Sequence, residues 1–312
     1  MPRVLPTAIV LALLAATAAA FALTERAKLE RSPIYGTRIV NPVFSPAARL
    51  KPTVTIEFRV RPRERIDVWV ADRHGGKVAD LLVDRAVAPA ARLALVWDGL
   101  GPDGIAAPDG VYHPVVKLLR SHRTIALPSD LTIDTRPPVI RVVPKAPLFP
   151  IISPDGDGHA DSFRVRYTVN EPAHGILLLR GTQVVKTRTS KLSGTLTWNG
   201  FYPRSTRPLP KGRYVLGVEA QDVAGNRSPL LRFAIAQIRY VTLARSRVVV
   251  APHARFAIRV STDAPTVAWR FARASGVQRT GTLHFRAPGR RGVYRLYVTV
   301  RSHSAVCAVV VA

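Results

Sequence analysis

The segments VWDG at residues 96–99 and PDGVY at 108–112 occur a second time in this 312-residue chain, as TWNG at 197–200 and PKGRY at 210–214. The two tryptophans lie 101 residues apart and the two tyrosines 102. A third, shorter copy reads GTLHF at 281–285 and GVY at 292–294. Because the register is kept across both landmarks, the sequence indicates an internal repeat.

Each copy contains stretches in which apolar and polar residues alternate. In the third copy the residues at 294, 296, 298 and 300 (Y, L, V and V) form one such series. Turn-forming sequences recur at short intervals, as in RHGG at 73–76, PDG at 102–104 and AGN at 224–226. Half-buried strands joined by tight turns predict an all-β sandwich for each copy, with no amphipathic helix after residue 31.

The large aromatic residues of the repeat recur at two positions. We expect the first set to fill the cores of the sandwiches, and it consists of Trp97, Trp198 and Phe285. The second set begins a strand two residues after a glycine, and it consists of Tyr112, Tyr214 and Tyr294. That placement is typical of the tyrosine corner, in which the phenol is hydrogen-bonded to a nearby backbone carbonyl.

These motifs resemble the immunoglobulin-like (Ig-like) domain of the flagellar hook-capping protein and of some bacterial extracellular proteases. The second copy adds SPDGDGHAD at 153–161 and DVAGN at 222–226, which are similar to the opening and ending of related bacterial surface modules. The resemblance covers roughly residues 41–237, and the third copy departs from it because it lacks both the tryptophan and the Pro-Asp-Gly turn. It implies an Ig-like fold and an extracellular setting, and it implies no reaction.

The sequence divides at a few points. Residues 1–23 contain an apolar run that follows Arg3, and we expect either a signal peptide or a single-pass membrane anchor there. Residues 24–40 are expected to form a charged stalk. Three tandem Ig-like domains are then expected over 41–137, 138–237 and 238–312, in an extracytoplasmic location. The single cysteine, Cys307, excludes an intramolecular disulfide, and its apolar surroundings predict a packed core thiol.

The motifs that commonly carry catalysis are missing, so we expect a protein that is not an enzyme. GLGPDG at 99–104 fits the spacing of a dinucleotide-binding loop, but no helix can follow it, and a hairpin turn is predicted instead. The histidines and the cysteine offer no structural zinc site.

Three aspartates, Asp155, Asp157 and Asp161, are close together in the second copy. Their spacing suits a Ca²⁺ ion, although the ligand set of an EF-hand is incomplete. The alternative is a turn in which the aspartates only accept hydrogen bonds from the backbone. Ca²⁺ is therefore the one cofactor that the sequence suggests.

Positive charge rises along the chain. The formal charge is +3 for residues 41–138 (14 basic, 11 acidic), +8 for 139–237 (14 basic, 6 acidic) and +12 for 238–312, which contain thirteen arginines and one acid, Asp263. Arginine-rich composition explains the choice of arginine over lysine, but not the near absence of acids. We expect the third domain to bind a polyanion such as an anionic envelope polymer or a membrane surface, and we expect no nucleic acid partner. The residues predicted to form one basic stripe are Arg255, Arg259, Arg290, Arg291, Arg295 and Arg301.

The function that these features predict is that of a structural or adhesive array of Ig-like modules. The alternatives are a ligand-binding or sensor ectodomain, a flagellar hook-cap-like scaffold and an accessory module of a hydrolase. An apolar export segment argues against the scaffold, because the resemblance implies delivery through the flagellar apparatus. The sequence does not identify a protein partner.

Overall fold

The computed structural model describes residues 4–29, 31–144 and 147–312. The chain divides into two compact units, Met1–Thr135 and Arg136–Ala312. In the described residues, buried apolar side chains form three separate cores, which lie within residues 34–133, 140–240 and 241–311. We call the surrounding structures domain 1, domain 2 and domain 3.

A single helix, α1 (Val4–Leu29), precedes domain 1 in the part of the chain that the structure describes. Its side chains over residues 9–21 are exposed. Within the described residues, no helix combines the length and the hydropathy that crossing a membrane requires. Export through residues 1–23 therefore stays a prediction.

Domain 1 is a two-layer sandwich. Its strands are β1 (Ile34–Val40), β2 (Val43–Phe44), β3 (Val54–Val60), β4 (Glu64–Asp72), β5 (Lys77–Val87), β6 (Ala91–Trp97), β7 (Gly110–Leu118), β8 (Arg123–Ala126) and β9 (Leu131–Ile133). One sheet has the order β1-β3-β6 and the other β2-β9-β7-β4-β5, with β8 added beside β7. Strands β2 and β9 are parallel, and the other neighbours are antiparallel.

The predicted stalk over residues 24–40 is wrong at its C-terminal end. Strand β1 pairs with β3, and Ile34 is buried in the domain 1 core. The register shifts between Tyr35 and Arg38, and Gly36 between them has a φ of 61°. A bulge of this kind breaks the two-residue alternation, so the segment does not read as a strand.

Domain 2 repeats this topology. Its strands are β10 (Ile140–Val142), β11 (Ile151–Ile152), β12 (Phe163–Leu179), β13 (Thr182–Lys186), β14 (Lys191–Trp198), β15 (Gly212–Gln221) and β16 (Leu231–Ile238). The long strand β12 forms part of both sheets of the sandwich. Its first part pairs with β10 and β14, and its second part, from His174 onward, pairs with β13 and β15. Strand β16 pairs with β15 and, in parallel, with β11.

Domain 3 has the same topology as domains 1 and 2. Its strands are β17 (Thr242–Leu243), β18 (Arg247–Val250), β19 (Arg255–Ser261), β20 (Thr266–Phe271), β21 (Ala274–Arg279), β22 (Thr282–Arg286), β23 (Gly292–Val300) and β24 (His303–Val311). The sheets have the orders β17-β19-β22 and β18-β24-β23-β20-β21. The parallel pair β18–β24 corresponds to β2–β9 and β11–β16. The predicted all-β fold of tandem Ig-like sandwiches after an N-terminal helix is confirmed.

Candidate functional site

The first set of aromatic residues in the repeat is buried in the cores of the three domains. Trp97 and Trp198 are each 2% exposed and Phe285 is 8% exposed, as their assignment to the cores predicts. The indole nitrogens of the two tryptophans donate hydrogen bonds to the carbonyl oxygen three residues ahead, at 2.9 and 3.0 Å. This bond fixes the start of the loop that follows each tryptophan.

The three tyrosine corners have one geometry. The hydroxyl groups of Tyr112, Tyr214 and Tyr294 each donate to the carbonyl oxygen four residues earlier, at 2.5, 2.9 and 2.9 Å respectively. Burial raises the pKa of Tyr112 and of Tyr214 above the ordinary value, which favours the protonated phenol that donates this hydrogen bond. Tyr294 is half-buried. The remaining core prediction also holds, because Cys307 is a free, fully buried thiol whose pKa is raised by burial.

The aspartate loop, residues 155–161, connects β11 to β12. One carboxylate oxygen from each of Asp155, Asp157 and Asp161 lies within 4.8 Å of the others. Both oxygens of Asp161 accept backbone amides, from Gly156 at 2.7 Å and Gly158 at 2.8 Å. The structure thus combines the hydrogen-bonded turn and the grouped carboxylates that the sequence offered as alternatives.

One oxygen of the aspartate loop has no partner in the described structure. Asp157 Oδ1 accepts the amide of His159 at 2.7 Å, whereas the buried Oδ2 of Asp157 accepts no hydrogen bond. Burial, followed by the charges of Asp157 and Asp263, raises the pKa of Asp155 above its ordinary value. Like charges held together in this way favour either a proton or a bound cation, and Ca²⁺ prefers oxygen ligands.

The six arginines that were predicted to form one stripe are all exposed, but they do not share a sheet. Arg255 and Arg259 lie on β19, whereas Arg295 lies on β23 in the opposite layer of the sandwich. Arg290 and Arg291 precede β23, and Arg301 occupies the turn after it. The single stripe is therefore wrong, because the outer faces of two packed sheets point in opposite directions.

A different basic surface forms on the β19–β22 side of domain 3. Arg255 is the direct cross-strand partner of Arg286, and Arg259 lies on the same outer face because Phe256, Ile258 and Val260 point into the core. Like charges directly opposite on neighbouring strands are destabilising unless an anion lies between them. We call Arg255, Arg259 and Arg286 the arginine face. Arg286 was not among the predicted residues, although the alternation through His284, Phe285 and Arg286 indicates that it faces outward.

The corresponding surface of domain 1 also has two paired arginines, but one of them has an acidic partner. There Arg59 and Arg92 are cross-strand partners on β3 and β6, and Glu57 accepts a salt bridge from Arg92 at 2.9 Å. In domain 3 the residue between Arg255 and Arg259 on the same face is Ala257. The arginine face therefore keeps its charge.

Domains 2 and 3 meet within the second compact unit through Tyr240. Its ring stacks on His303 with a centroid distance of 3.7 Å and an interplanar angle of 12°, and its hydroxyl donates to Leu209 O at 2.6 Å. Burial raises the pKa of Tyr240 to about 12. The side chain of Arg239 donates to Ser261 Oγ at 2.7 Å.

A groove of about 680 Å³ opens beside this contact. We call it the junction groove, and its lining consists of Tyr202, Ser205, Arg207, Pro208, Leu209, Pro210, Lys211, Tyr240 and His303. The lining contains two cationic side chains and no carboxylate. No local pattern in the sequence indicates this groove, because its residues come from three separate parts of the chain.

No protein-family model matches this sequence, and a comparison with curated proteins finds no match. Among solved structures, the fibronectin(III)-like modules of Clostridium thermocellum CbhA are 13% identical, with 65% of this chain and 94% of that chain covered and a TM-score of 0.38. A three-domain Ig fragment of titin is 11% identical, with 90% and 99% covered and a TM-score of 0.29. The N-terminal four Ig domains of Dscam1 are 14% identical, with 89% and 72% covered and a TM-score of 0.22.

Proposed function

We propose that this chain is a non-enzymatic, extracytoplasmic array of Ig-like domains with a structural or adhesive role, and that anionic envelope polymers bind it through domain 3. The observation that carries the proposal is the arginine face. Arg255 and Arg286 are held opposite each other on a regular sheet, and Arg259 lies nearby without an acidic residue on the same strands. Such a surface attracts a polyanion without a dedicated pocket.

The extended form of the surface favours a polymer over a small ligand. The arginine face lies on the flat outer side of paired strands and not in a cavity, so each contact is exposed to solvent and individually weak. Binding then depends on repeated charges along the partner. It should be insensitive to the monomer sequence of the polymer and sensitive to salt.

Retention of the full chain on immobilised polygalacturonate tests the proposal. The triple variant Arg255→Glu, Arg259→Glu and Arg286→Glu should elute at much lower salt than the unchanged protein. Its matched control reverses three exposed arginines of domain 1, Arg59, Arg85 and Arg123, and thereby lowers the formal charge of +26 by the same six units.

Equal losses in the two triple variants would mean that net charge alone causes retention, and the arginine face would then have no special role. Retention that persists unchanged after removal of domain 3, residues 241–312, would contradict the proposal as well. Circular dichroism of each variant separates loss of binding from loss of folding.

Ca²⁺ binding in the aspartate loop forms part of the proposal. It is supported by the three grouped carboxylates and by the unpartnered Oδ2 of Asp157. The pKa of Asp155 is raised by burial and then by the charges of Asp157 and Asp263, and a bound cation would offset both effects and fix the loop before β12. Isothermal titration of the chelator-treated protein with Ca²⁺ tests it, and the variant Asp157→Asn should weaken any binding at least tenfold. Equal affinity in Asp157→Asn would overturn it.

Two further functions have some support. The motifs at residues 97–99 and 108–112 resemble the hook-capping family, and this favours a scaffold by analogy alone. The junction groove favours a ligand-binding ectodomain, because binding sites occur preferentially where domains meet.

A further inference from the structure

The junction groove has two walls that come from different domains. One wall is the loop between β14 and β15, which supplies Tyr202, Arg207 and Lys211, and the other consists of the interdomain residue Tyr240 and His303 of domain 3. A ligand in the groove would touch both domains. The volume of about 680 Å³ exceeds what a simple inorganic anion fills and falls in the usual range of small-molecule sites.

The loop wall is held in place by hydrogen bonds on both sides. Leu209 O accepts the hydroxyl of Tyr240 at 2.6 Å, and Pro210 O accepts the hydroxyl of Tyr214 at 2.9 Å. The amide of Leu209 donates to Gly200 O at 2.9 Å. Two prolines in the wall further restrict the backbone. The site is therefore preorganised, which lowers the entropy cost of binding.

The chemistry of the lining selects an anion that also has a ring. Arg207 and Lys211 are exposed, and among the described residues no carboxylate forms a salt bridge with either of them. Arginine binds carboxylates through two parallel hydrogen bonds. Tyr202 is 45% exposed, so its ring offers an open apolar surface beside the two cations. A sugar ring can pack its C–H face on such a surface while Ser205 hydrogen-bonds its hydroxyl groups.

We infer that the junction groove binds an acidic saccharide, a uronic acid unit whose carboxylate meets Arg207 and Lys211 and whose ring packs on Tyr202. This inference rests on the proposed function, because it specifies acidic saccharides as the class of anionic polymer that the array binds. It adds a second binding site, distinct from the arginine face, that recognises the monomer itself.

The probe is trigalacturonic acid, titrated into the full chain by calorimetry. The double variant Arg207→Ala and Lys211→Ala should lose at least tenfold in affinity, and His303→Ala should also weaken binding because it removes the wall contributed by domain 3. The matched control is Arg204→Ala, which changes an exposed arginine of the same loop that does not line the groove. That variant should bind like the unchanged protein.

A neutral trisaccharide and inorganic phosphate serve as competitor ligands. Trigalacturonic acid that binds no better than either of them would overturn the inference, as would unchanged affinity in the double variant. The triple variant of the arginine face should still bind the trisaccharide. Retention on polygalacturonate without any binding of the trisaccharide would overturn the inference and leave the proposed function standing. Binding of the trisaccharide without retention through the arginine face would overturn the proposed function and leave the inference standing.

Discussion

Tyr167 of β12 packs its ring against the backbone of two glycines, and this contact is sensitive to a single added methyl group. The ring is 1% exposed, and its hydroxyl accepts the amide of Gly175 at 3.1 Å. A Cβ atom at Gly175 would lie 2.3 Å from Tyr167 Cζ, and one at Gly194 would lie 2.6 Å from the hydroxyl. Neither glycine has a left-handed φ, so space alone excludes a side chain there.

Gly175→Ala should therefore destabilise domain 2. Ordinary contacts of a Cβ begin near 3.4 Å, so the ring would have to move by roughly 1 Å inside a packed core. Overpacking of this kind costs about 1–3 kcal/mol, and we expect the upper end because the ring is only 1% exposed and is surrounded by the core. Hydrogen exchange of the β12 amides measures the loss locally, which is preferable to a global transition in a chain of several domains.

A double-mutant cycle tests the cause. Tyr167→Leu removes the ring, and the amide of Gly175 keeps a hydrogen bond to Thr187 Oγ1 at 3.0 Å. In that background Gly175→Ala should cost at least about 1 kcal/mol less than in the unchanged protein, because contacting residues are energetically coupled. Gly110→Ala is the control, since no atom lies within 4 Å of a Cβ there. Additive effects in the cycle, or equal effects of Gly175→Ala and Gly110→Ala, would refute the steric explanation.

The remaining predictions concern the cores and the aspartate loop. Trp198→Ala should cost roughly 3–5 kcal/mol in domain 2, measured by hydrogen exchange of the β14 amides, and a loss below about 1 kcal/mol would contradict its core role. Tyr112→Phe should cost about 1 kcal/mol and Tyr294→Phe less, because the second hydroxyl is more exposed; the reverse order in hydrogen exchange would argue against this reasoning. The pKa of Asp155 is raised by burial and by neighbouring carboxylates, so the folded domain holds this proton more tightly than the unfolded chain. Without Ca²⁺, stability should therefore fall as pH rises above the ordinary carboxyl pKa, and Asp155→Asn should remove that fall in thermal unfolding; an unchanged pH profile would count against it.

The repeating part of the fold could be predicted from sequence because its signals are local. The glycine and tyrosine at the start of β7, β15 and β23 predict a corner, and all three phenols donate to the carbonyl four residues earlier. Likewise, the buried tryptophans follow from their place at the end of alternating strands. Strand β1 could not be predicted, because a bulge interrupts its alternation.

The candidate sites also include features that could be predicted from the sequence and features that could not. Asp155, Asp157 and Asp161 come together as expected, since seven consecutive residues contain all three. The prediction of one arginine stripe is wrong because the alternation of residues indicates which side chains face outward but not which sheet a strand joins. That choice depends on long-range pairing, which puts β19 beside β22 and β23 beside β20 and β24. The junction groove depends on residues about 100 positions apart and gave no local signal.

The two proposed modes of binding, at the arginine face and in the junction groove, should differ in their dependence on salt. The arginine face attracts charge from a distance across solvent, so its attraction weakens as the Debye length falls from about 10 Å at 0.1 M to about 3 Å at 1 M. In the junction groove, a carboxylate in direct contact with Arg207 is screened less, and packing on Tyr202 does not depend on charge. A polymer would then be attracted by the charge of +12 on residues 238–312, and a single acidic unit would be held at the boundary of domains 2 and 3. Trisaccharide binding should consequently persist at salt concentrations that already release the polymer from the arginine face, and identical salt dependence of the two would mean that one diffuse attraction explains both.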